Sequence, residues 1–350
     1  MSQPAESASS RPGHELDEQR LGSYLERHIS GFRPPFSVRQ FSGGQSNPTY
    51  LIEASGGQFV LRKKPPGTLL PSAHQVEREY RIAKALESTA VAVPRMLHLC
   101  EDTDVVGTAF YIMEYCDGRI FRDSGLTGCT PGERGAIYAA MAQTLAALHS
   151  ADWQGLGLSD FGKPAEYVRR QIQRWRRQFE SSKTHEIPAM DKLMAWLEAH
   201  VPASDEVAVV HGDYRLENLV FDEREPRVIA VLDWELSTLG HPLADLAYNC
   251  MPYSFPSSMT VLGGIADLDI GALGIPDEPS YIEAYCARAG RSGIDSWPFF
   301  KAFAMFRTTA ILQGVYARAR QNNAASADAL QVGALAAPVA EIGWKIAARA

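Results

Sequence analysis

The stretch VAVVHGDYRLENLVFDEREPRVIAVLDWELSTLGHPLAD, residues 207–245, decides the fold of this 350-residue chain. An apolar run at its start leads into the tripeptide H-G-D, which ends at Asp213, and a second apolar run, Val228–Leu232, leads into Asp233. Both runs have the length and composition of short strands, so the sequence predicts two strands that deliver a carboxylate at the same end. Asn218, five residues after Asp213, adds a third oxygen-bearing side chain.

Phosphoryl transfer from a nucleotide requires a set of this kind. One carboxylate accepts or orients the proton of the attacking hydroxyl, while an amide oxygen and a second carboxylate hold Mg²⁺ on the phosphates. In chain order, Asp213 is the candidate catalytic base, and Asn218 and Asp233 are the candidate metal ligands. Because Asp and Asn are also common in turns and at strand ends, the motif alone leaves an ordinary structural role open.

The patterns H-G-D-x-x-x-x-N and L-D-W-E resemble the aminoglycoside phosphotransferase and choline kinase-like family. Three further segments, Arg62–Gly67, Asp233–Gly240 and Phe306–Ala319, resemble the branch of kinase-like domains that are fused to, or encoded beside, acyl-CoA dehydrogenases. The resemblance covers about Phe41 to Asn323. It implies an α+β, two-lobed protein-kinase-like fold, with an antiparallel five-stranded sheet in a small N-lobe and a mostly helical C-lobe. It also implies ATP, with GTP as the alternative, and Mg²⁺ as cofactors.

A glycine-rich turn lies between two predicted strands, Phe36–Phe41 and Thr49–Glu53. Glycines without a Cβ let backbone N–H groups approach phosphate oxygens, as in the loop that covers a kinase nucleotide. The spacing G-x-G-x-x-G is absent, so an ordinary hairpin turn is the alternative. The candidate phosphate-covering residues are Ser42, Gly43, Gly44, Gln45, Ser46 and Asn47.

The predicted strand Gln58–Arg62 occupies the place where kinases carry a lysine that binds the phosphates. Arginine stands there in this chain, and the two cations are not interchangeable at a precise ion pair. The resemblance implies that Arg62 pairs with Glu79 of the predicted helix Ala73–Leu86. A solvated cation at Arg62, and surface pairing of Glu79 with helix neighbours, are the alternatives.

The predicted strand Ala109–Tyr115 runs into a glycine turn at Gly118. The resemblance implies that this is the hinge whose backbone binds adenine, with candidates Glu114, Tyr115 and Cys116. We therefore predict a leader over residues 1–15 that is disordered, a nucleotide-binding N-lobe over 16–116, and a catalytic and acceptor-binding C-lobe over 117–350. In the C-lobe the resemblance implies that Asp245 opens a helix and supports the catalytic loop.

A helix predicted from Pro164 to Phe179 carries five arginines in nine positions. These could attract a carboxylate or phosphate of the acceptor, although a solvated face is the alternative. The five residues are Arg169, Arg170, Arg174, Arg176 and Arg177.

Composition narrows the possible partners and compartment. A formal net charge of −7 at pH 7 argues against a nucleic-acid partner. The five cysteines are odd in number and form no C-x-x-C pair, which argues against a disulfide framework or a zinc site. No apolar signal segment and no uncharged apolar run of about 18 residues is present, so we expect a cytoplasmic protein without a membrane partner. The sequence does not predict an oligomeric state.

The favoured function is an ATP-dependent kinase that phosphorylates a small-molecule hydroxyl. The dehydrogenase-associated branch points to a hydroxy acid or a hydroxyacyl-CoA as the acceptor. Aminoglycoside phosphorylation is one alternative. A nucleotide-binding pseudokinase or regulatory module is another, which Arg62 keeps open because it departs from the usual lysine.

Overall fold

The computed structural model describes residues 7–8, 15–41, 47–65, 74–321 and 328–350. The chain divides into two compact units. Unit 1 comprises Met1–Phe121, Gln154–Leu158 and Leu216–Ser237, and unit 2 comprises Arg122–Trp153, Ser159–Arg215 and Thr238–Ala350. The division between residues 116 and 117 that the sequence suggests stays a prediction.

Unit 1 is built on the predicted antiparallel sheet of five strands, arranged in the order β2-β3-β4-β6-β5. A two-residue strand, β1, pairs with the edge strand β2, inside the segment that the sequence assigns to a disordered leader. A separate hairpin is formed by β8 and β9. The strands of unit 1 are β1 Ser7–Ala8, β2 Phe36–Phe41, β3 Thr49–Ala54, β4 Gly57–Lys63, β5 Met96–Cys100, β6 Phe110–Glu114, β8 Leu219–Phe221 and β9 Val228–Val231.

The central strand β4 is buried at five consecutive positions, from Phe59 to Lys63. Continuous burial means that both faces of the strand are covered, which is why it lacks a simple alternation of polar and apolar residues. The ladder places Arg62 opposite Thr49 on β3 and opposite Tyr111 on β6. The helices of this unit are α1 Glu18–His28, α2 Val76–Leu86 and α3 Thr103–Val106.

Unit 2 is mostly helical, as predicted. The sequence Thr130-Pro131-Gly132-Glu133 predicts a capping box, and helix α4 begins with it: the side chains and backbones of Thr130 and Glu133 bond reciprocally. The helices are α4 Pro131–His149, α5 Tyr167–Ser182, α6 Pro188–Ala199, α7 Pro242–Asn249, α8 Ile270–Leu273, α9 Glu278–Ala289, α10 Trp297–Arg320, α11 Ala329–Ala334 and α12 Ala336–Ala347; the two strands are β7 Ala208–Val210 and β10 Thr238–Gly240.

The two strands of the opening motif belong to different sheets. Strand β7 pairs with β10, whereas β9 pairs with β8. The two strands are thus parts of separate two-stranded sheets, and the prediction that they deliver their carboxylates at the same end stays a prediction. Strands of three or four residues carry too little alternation to identify their partners.

Two helix boundaries also differ from the sequence prediction. Helix α5 begins at Tyr167 rather than Pro164, because Glu166 has a left-handed backbone with φ of 53°. The sequence predicts one helix from Ala325 to Ala348 with a kink at Pro338. The structure divides it at Leu335 instead, and Pro338 falls in the first turn of α12, where its missing N–H leaves no helical bond unmade. Among the described residues no helix is sufficiently long and apolar to cross a membrane.

Candidate active site

Arg62 and Glu79 form a buried ion pair in unit 1. The Nε atom of Arg62 lies 2.8 Å from Oε2 of Glu79, and the two side chains are 9% and 1% exposed. Strand β4 supplies the cation and helix α2 supplies the anion. Burial of these charges is costly unless each is paired and hydrogen-bonded, so the remaining partners of both groups determine whether the pair is tolerated.

Glu79 receives hydrogen bonds from two further side chains. Asn47 donates its Nδ2 proton to Oε1 at 2.6 Å, and the hydroxyl of Tyr111 donates to Oε2 at 3.2 Å. The ring of His74 lies 2.9 Å from the Asn47 amide oxygen. Burial disfavours the charged guanidinium of Arg62, but the neighbouring Glu79 carboxylate outweighs it with help from Asp233 and raises the Arg62 pKa. The cation is therefore permanent.

Asp233 is a second partner of Arg62, which the sequence did not indicate. Its Oδ1 accepts a hydrogen bond from Nη2 of Arg62 at 2.6 Å, and Glu235 lies 3.7 Å from the same nitrogen. Asp233 has a left-handed backbone with φ of 65° and precedes a 3₁₀ helix, Trp234–Leu236. Such a backbone is uncommon for a residue other than glycine and is often seen at functional sites.

The hairpin β8–β9 brings the two candidate metal ligands to the same end. Leu219 pairs with Val231, and the N–H of Leu232 donates to the carbonyl of Asn218 at 2.8 Å. Asn218 is therefore opposite the residue that precedes Asp233. Within the described ranges no group of three or more His, Cys, Asp or Glu side chains could hold a metal. An amide and one carboxylate nevertheless fit Mg²⁺, which takes its other ligands from water and phosphate.

The neighbouring lysines of β4 have other partners. Lys63 is buried and donates from Nζ to the carbonyl of Val106 at 2.9 Å. Lys64 forms an ion pair with Glu77, the other glutamate at the start of α2. Arg62 is thus the cation of this strand that reaches Glu79.

The predicted hinge segment follows the end of β6 at Glu114. The Glu114 N–H donates to the carbonyl of Arg95 at 2.9 Å, and burial raises the pKa of the Cys116 thiol to about 12. Next along the chain, a Cβ on Gly118 would lie 2.2 Å from the carbonyl oxygen of Phe221, so only glycine fits there. Tyr115 is half-buried.

In the predicted glycine-rich turn, Asn47 hydrogen-bonds to Glu79. Ser42 to Ser46 lie outside the described residues.

In unit 2 the loop after β7 is held by a buried carboxylate. Asp245, 2% exposed, accepts hydrogen bonds from the N–H groups of His211 and Gly212 at 2.7 and 2.9 Å. Gly212 has φ of 84°, a conformation that favours glycine. Burial raises the pKa of Asp245, but hydrogen bonds from His149 and the loop outweigh it and hold the pKa below its usual value. Asp245 is therefore an anion that fixes the backbone leading to Asp213.

Two more residues of α7 contact the same loop. The hydroxyl of Tyr248 donates to Oδ1 of Asp213 at 2.5 Å, and Nδ2 of Asn249 donates to the carbonyl of Tyr214 at 3.2 Å. Positions 245, 248 and 249 have the i, i+3, i+4 spacing of one helix face. That face therefore contacts every residue from 211 to 214.

Comparison with known proteins identifies the family to which this site belongs. A model described as a phosphotransferase enzyme family, APH, matches residues 37–297. The chain belongs to this APH phosphotransferase family. It is 49% identical over 332 residues to acyl-CoA dehydrogenase family member 10 of Mus musculus. The aligned region covers 95% of this chain and 31% of that protein. The chain spans less than half the length of the curated relatives it matches.

Solved structures of this family have the same fold. A crystal structure from Ralstonia eutropha, described as a candidate aminoglycoside phosphotransferase, is 48% identical with a TM-score of 0.88, covering 96% of this chain and 99% of that one. Spectinomycin phosphotransferase, solved with ADP and spectinomycin, has a TM-score of 0.62 at 12% identity and covers 98% of this chain and 99% of its own. Both matches confirm the kinase-like fold, and the family model together with the 48% identical structure confirms the family predicted from the sequence.

Sequence reasoning missed three residues that contact the loop 211–214, namely Tyr248, Asn249 and Arg307. Arg307 donates from Nη2 to the carbonyl of Gly212 at 2.5 Å, and its guanidinium lies 5.1 Å from the Tyr248 ring centroid. Three hydrogen-bonding side chains at positions 245, 248 and 249 of an otherwise apolar helix were the available signal. The structure brings together Asn47, Arg62, Glu79 and Asp233 in unit 1, while Asp213 has its partners in unit 2. The roles assigned to these residues stay predictions.

Proposed function

We propose that this chain is an ATP-dependent kinase that transfers the γ-phosphoryl group to the hydroxyl of an acid or acyl-CoA metabolite. The observation that carries the proposal is the fixed catalytic loop, in which Asp245 binds two consecutive backbone N–H groups just before Asp213. Buried hydrogen bonds of this kind hold a reactive carboxylate in one geometry. A chain that only bound nucleotide would have no need to fix this side chain.

Asp213 is the proposed base. The acceptor hydroxyl oxygen attacks the γ-phosphorus, its proton passes to the Asp213 carboxylate, and the bond to the β–γ bridging oxygen breaks to release ADP. Arg62, oriented by Glu79, binds phosphate oxygens through its planar guanidinium. Asn218 and Asp233 would hold Mg²⁺, which supplies charge neutralisation of the phosphates when bound. Residues 42–47 and 114–116 are proposed to contact the phosphates and the adenine.

Two observations support an anionic acceptor. Nearly the whole chain aligns with a protein named for acyl-CoA dehydrogenase, which suggests an acyl-group metabolite. Helix α5 also has three exposed arginines, Arg169, Arg174 and Arg177, in unit 2. Guanidinium groups suit carboxylates and phosphates, both of which a hydroxyacyl-CoA carries.

Aminoglycoside phosphorylation is the second candidate, which the similarity to the Ralstonia eutropha structure favours. GTP is the alternative phosphate donor, but the ADP complex of spectinomycin phosphotransferase supports ATP.

The test is an acceptor screen with a matched variant. Wild-type protein and Asp213→Asn are incubated with Mg-ATP and, separately, 3-hydroxybutyrate, 3-hydroxybutyryl-CoA, choline or kanamycin, and ADP and phosphorylated product are measured. We expect phosphorylation of an acyl acceptor by the wild type and a loss of at least about 100-fold in the variant. Mg-ATP affinity by calorimetry should stay within a few-fold, because Asn keeps the shape of Asp. Near-normal turnover by Asp213→Asn would contradict the assigned base.

A further inference from the structure

We propose that Tyr248 is a positioning residue for Asp213, whose hydroxyl holds one carboxylate oxygen so that the other faces the acceptor and takes its proton. This inference rests on the proposed function, in which Asp213 is the base. It adds a residue outside the H-G-D motif and the metal-binding positions. Tyr248 acts through Asp213 and has no proton-transfer role of its own.

The hydrogen bond is short and has a defined direction. The Tyr248 oxygen lies 2.5 Å from Oδ1 of Asp213. Burial, followed by the neighbouring Asp213 charge, raises the pKa of Tyr248 well above its usual value, so the hydroxyl keeps its proton and donates. A carboxylate with one oxygen occupied in this way presents the other in a fixed orientation. Rotation about the last side-chain bond would break the Tyr248 hydrogen bond.

The tyrosine ring is itself held in place. The Arg307 guanidinium on α10 lies 5.1 Å from the Tyr248 ring centroid and 5.4 Å from that of Trp175 on α5. The same guanidinium donates to the Gly212 carbonyl at 2.5 Å. Because one planar cation contacts both the ring and the loop, movement of Tyr248 away from Asp213 would disrupt its contact with Arg307 of α10 as well as its hydrogen bond to the loop.

The charges around Asp213 come from several elements. Arg307 approaches from α10, and Arg215 lies on the same loop; both act electrostatically on the Tyr248 hydroxyl. The His211 ring accepts the N–H of Asp213 at 3.2 Å. Behind the loop, Asp245 is paired with His149 of α4 at 3.4 Å. Removal of the Tyr248 hydroxyl leaves all of these groups in place, so any change in Asp213 titration reports on the one lost bond.

The first test follows Asp213 directly and needs no acceptor. The chain is labelled with carboxyl-¹³C aspartate, the Asp213 signal is assigned by its loss in Asp213→Asn, and its chemical shift is followed against pH. A hydrogen bond to a carboxylate stabilises the charged form, so Tyr248→Phe should move the midpoint of this titration to higher pH. Incorporation of 3-fluorotyrosine at position 248, which is a stronger donor of the same shape, should lower it.

Tyr138→Phe is the matched control. The buried Tyr138 hydroxyl donates to the carbonyl of Ser124 at 2.8 Å, so this variant loses a comparable bond in the same unit without contact to Asp213. We expect the Asp213 titration to match the wild type. Circular dichroism of all variants reports any loss of folding. If Tyr248→Phe does not fold, the fluorotyrosine protein decides the question, since an unchanged Asp213 pKa there overturns the proposal.

The second test is kinetic and uses the acceptor found in the screen or, failing one, the slow Mg-ATP hydrolysis with water as acceptor. Tyr248→Phe should lower kcat about tenfold at neutral pH with KM changed less than about threefold, and the acid limb of the kcat/KM profile should move to higher pH. A purely structural role would lower stability but leave this limb unmoved. Wild-type titration of Asp213 in Tyr248→Phe overturns the inference, whereas wild-type turnover by Asp213→Asn overturns the proposed function.

Discussion

Each unit contains one buried carboxylate that holds a candidate functional residue, but the two carboxylates do so in different ways. Glu79 is bound by side chains, those of Arg62, Asn47 and Tyr111. Asp245 is bound mainly by backbone N–H groups of the loop before Asp213. In unit 1 the hydrogen bonds to the buried carboxylate depend on the identity of each partner side chain. In unit 2 they depend mainly on the path of the backbone.

This difference predicts where substitutions would be tolerated. A side-chain partner is lost when its residue changes, so the cluster around Glu79 depends on several positions at once. Every residue except proline has a backbone donor, so the Asp245 site depends on this carboxylate, on its side-chain partner His149 and on the left-handed conformation of Gly212. Four substitutions, taken in order of their expected effect at neutral pH, test this comparison.

Glu79→Gln should have the largest effect, on stability. The change leaves the Arg62 cation buried without its main counter-charge, and removing one member of a buried pair typically costs about 3–5 kcal/mol. Denaturant unfolding measures the loss. Glu77→Gln on the same helix is the control, because its partner Lys64 is partly exposed and such pairs contribute about 1 kcal/mol or less. Equal losses of unfolding free energy in the two variants would show that the buried pair contributes no more to stability than the partly exposed pair.

Arg62→Ala should reduce kcat/KM by an amount equivalent to about 2–4 kcal/mol, because a charge-assisted phosphate contact is removed. Arg62→Lys should restore only part of the activity, since a point charge replaces a planar fork. Lys63→Ala and Lys64→Ala are controls, as their ammonium groups contact Val106 and Glu77. A large loss confined to Lys64→Ala would contradict the role given to Arg62.

Asp245→Asn should lower the free energy of unfolding by roughly 1–3 kcal/mol, because an amide cannot accept both loop N–H groups. The folded-state pKa of Asp245 is depressed, so its contribution is present above the unfolded value of about 3.9 and is lost on further acidification. The free energy of unfolding, measured between pH 6 and pH 3, should therefore depend less on pH in the variant than in the wild type. Asp17→Asn, which retains an N-cap acceptor on α1, should keep the wild-type slope.

His241→Asn should have the smallest effect at neutral pH, within about 1 kcal/mol, since Asn also accepts from the N-terminal N–H of α7. Burial lowers the pKa of His241 to about 4, below the unfolded value of about 6.5. The wild type should therefore lose stability as the pH falls from 6.5 to 4, and the variant should lose less over this window. Identical pH profiles would show that His241 titrates as in the unfolded chain.

The sequence predicted features that local pattern determines. Strand β2 has the predicted bounds, Phe36–Phe41, because polar and apolar residues alternate and turns border it. The Thr130 capping box was found because both partners lie within one helical turn. Placing Arg62 near Glu79 came from the family resemblance, which identifies the strand and helix that carry the pair.

Long-range packing could not be predicted in the same way. Nothing local to Asp233 indicates its hydrogen bond to Arg62, 171 positions away in the chain. The pairing of β7 with β10 and of β8 with β9 depends on which short strands meet, which their composition does not specify. Tyr248 was overlooked because a tyrosine on an apolar helix is most often a core residue.

The return of Leu216–Ser237 to unit 1 has a consequence for synthesis on the ribosome. The five-stranded sheet is complete once residue 114 has been made, and α2 with Glu79 is present by then. Asp233, the second carboxylate that contacts Arg62, is made more than a hundred residues later, after the chain has begun unit 2. A nascent chain that stops between these points contains the complete sheet, yet the guanidinium at its centre has only Glu79 and its neighbours as partners. Unit 1 therefore acquires its final set of charges only after the segments Arg122–Trp153 and Ser159–Arg215 of unit 2 have been translated.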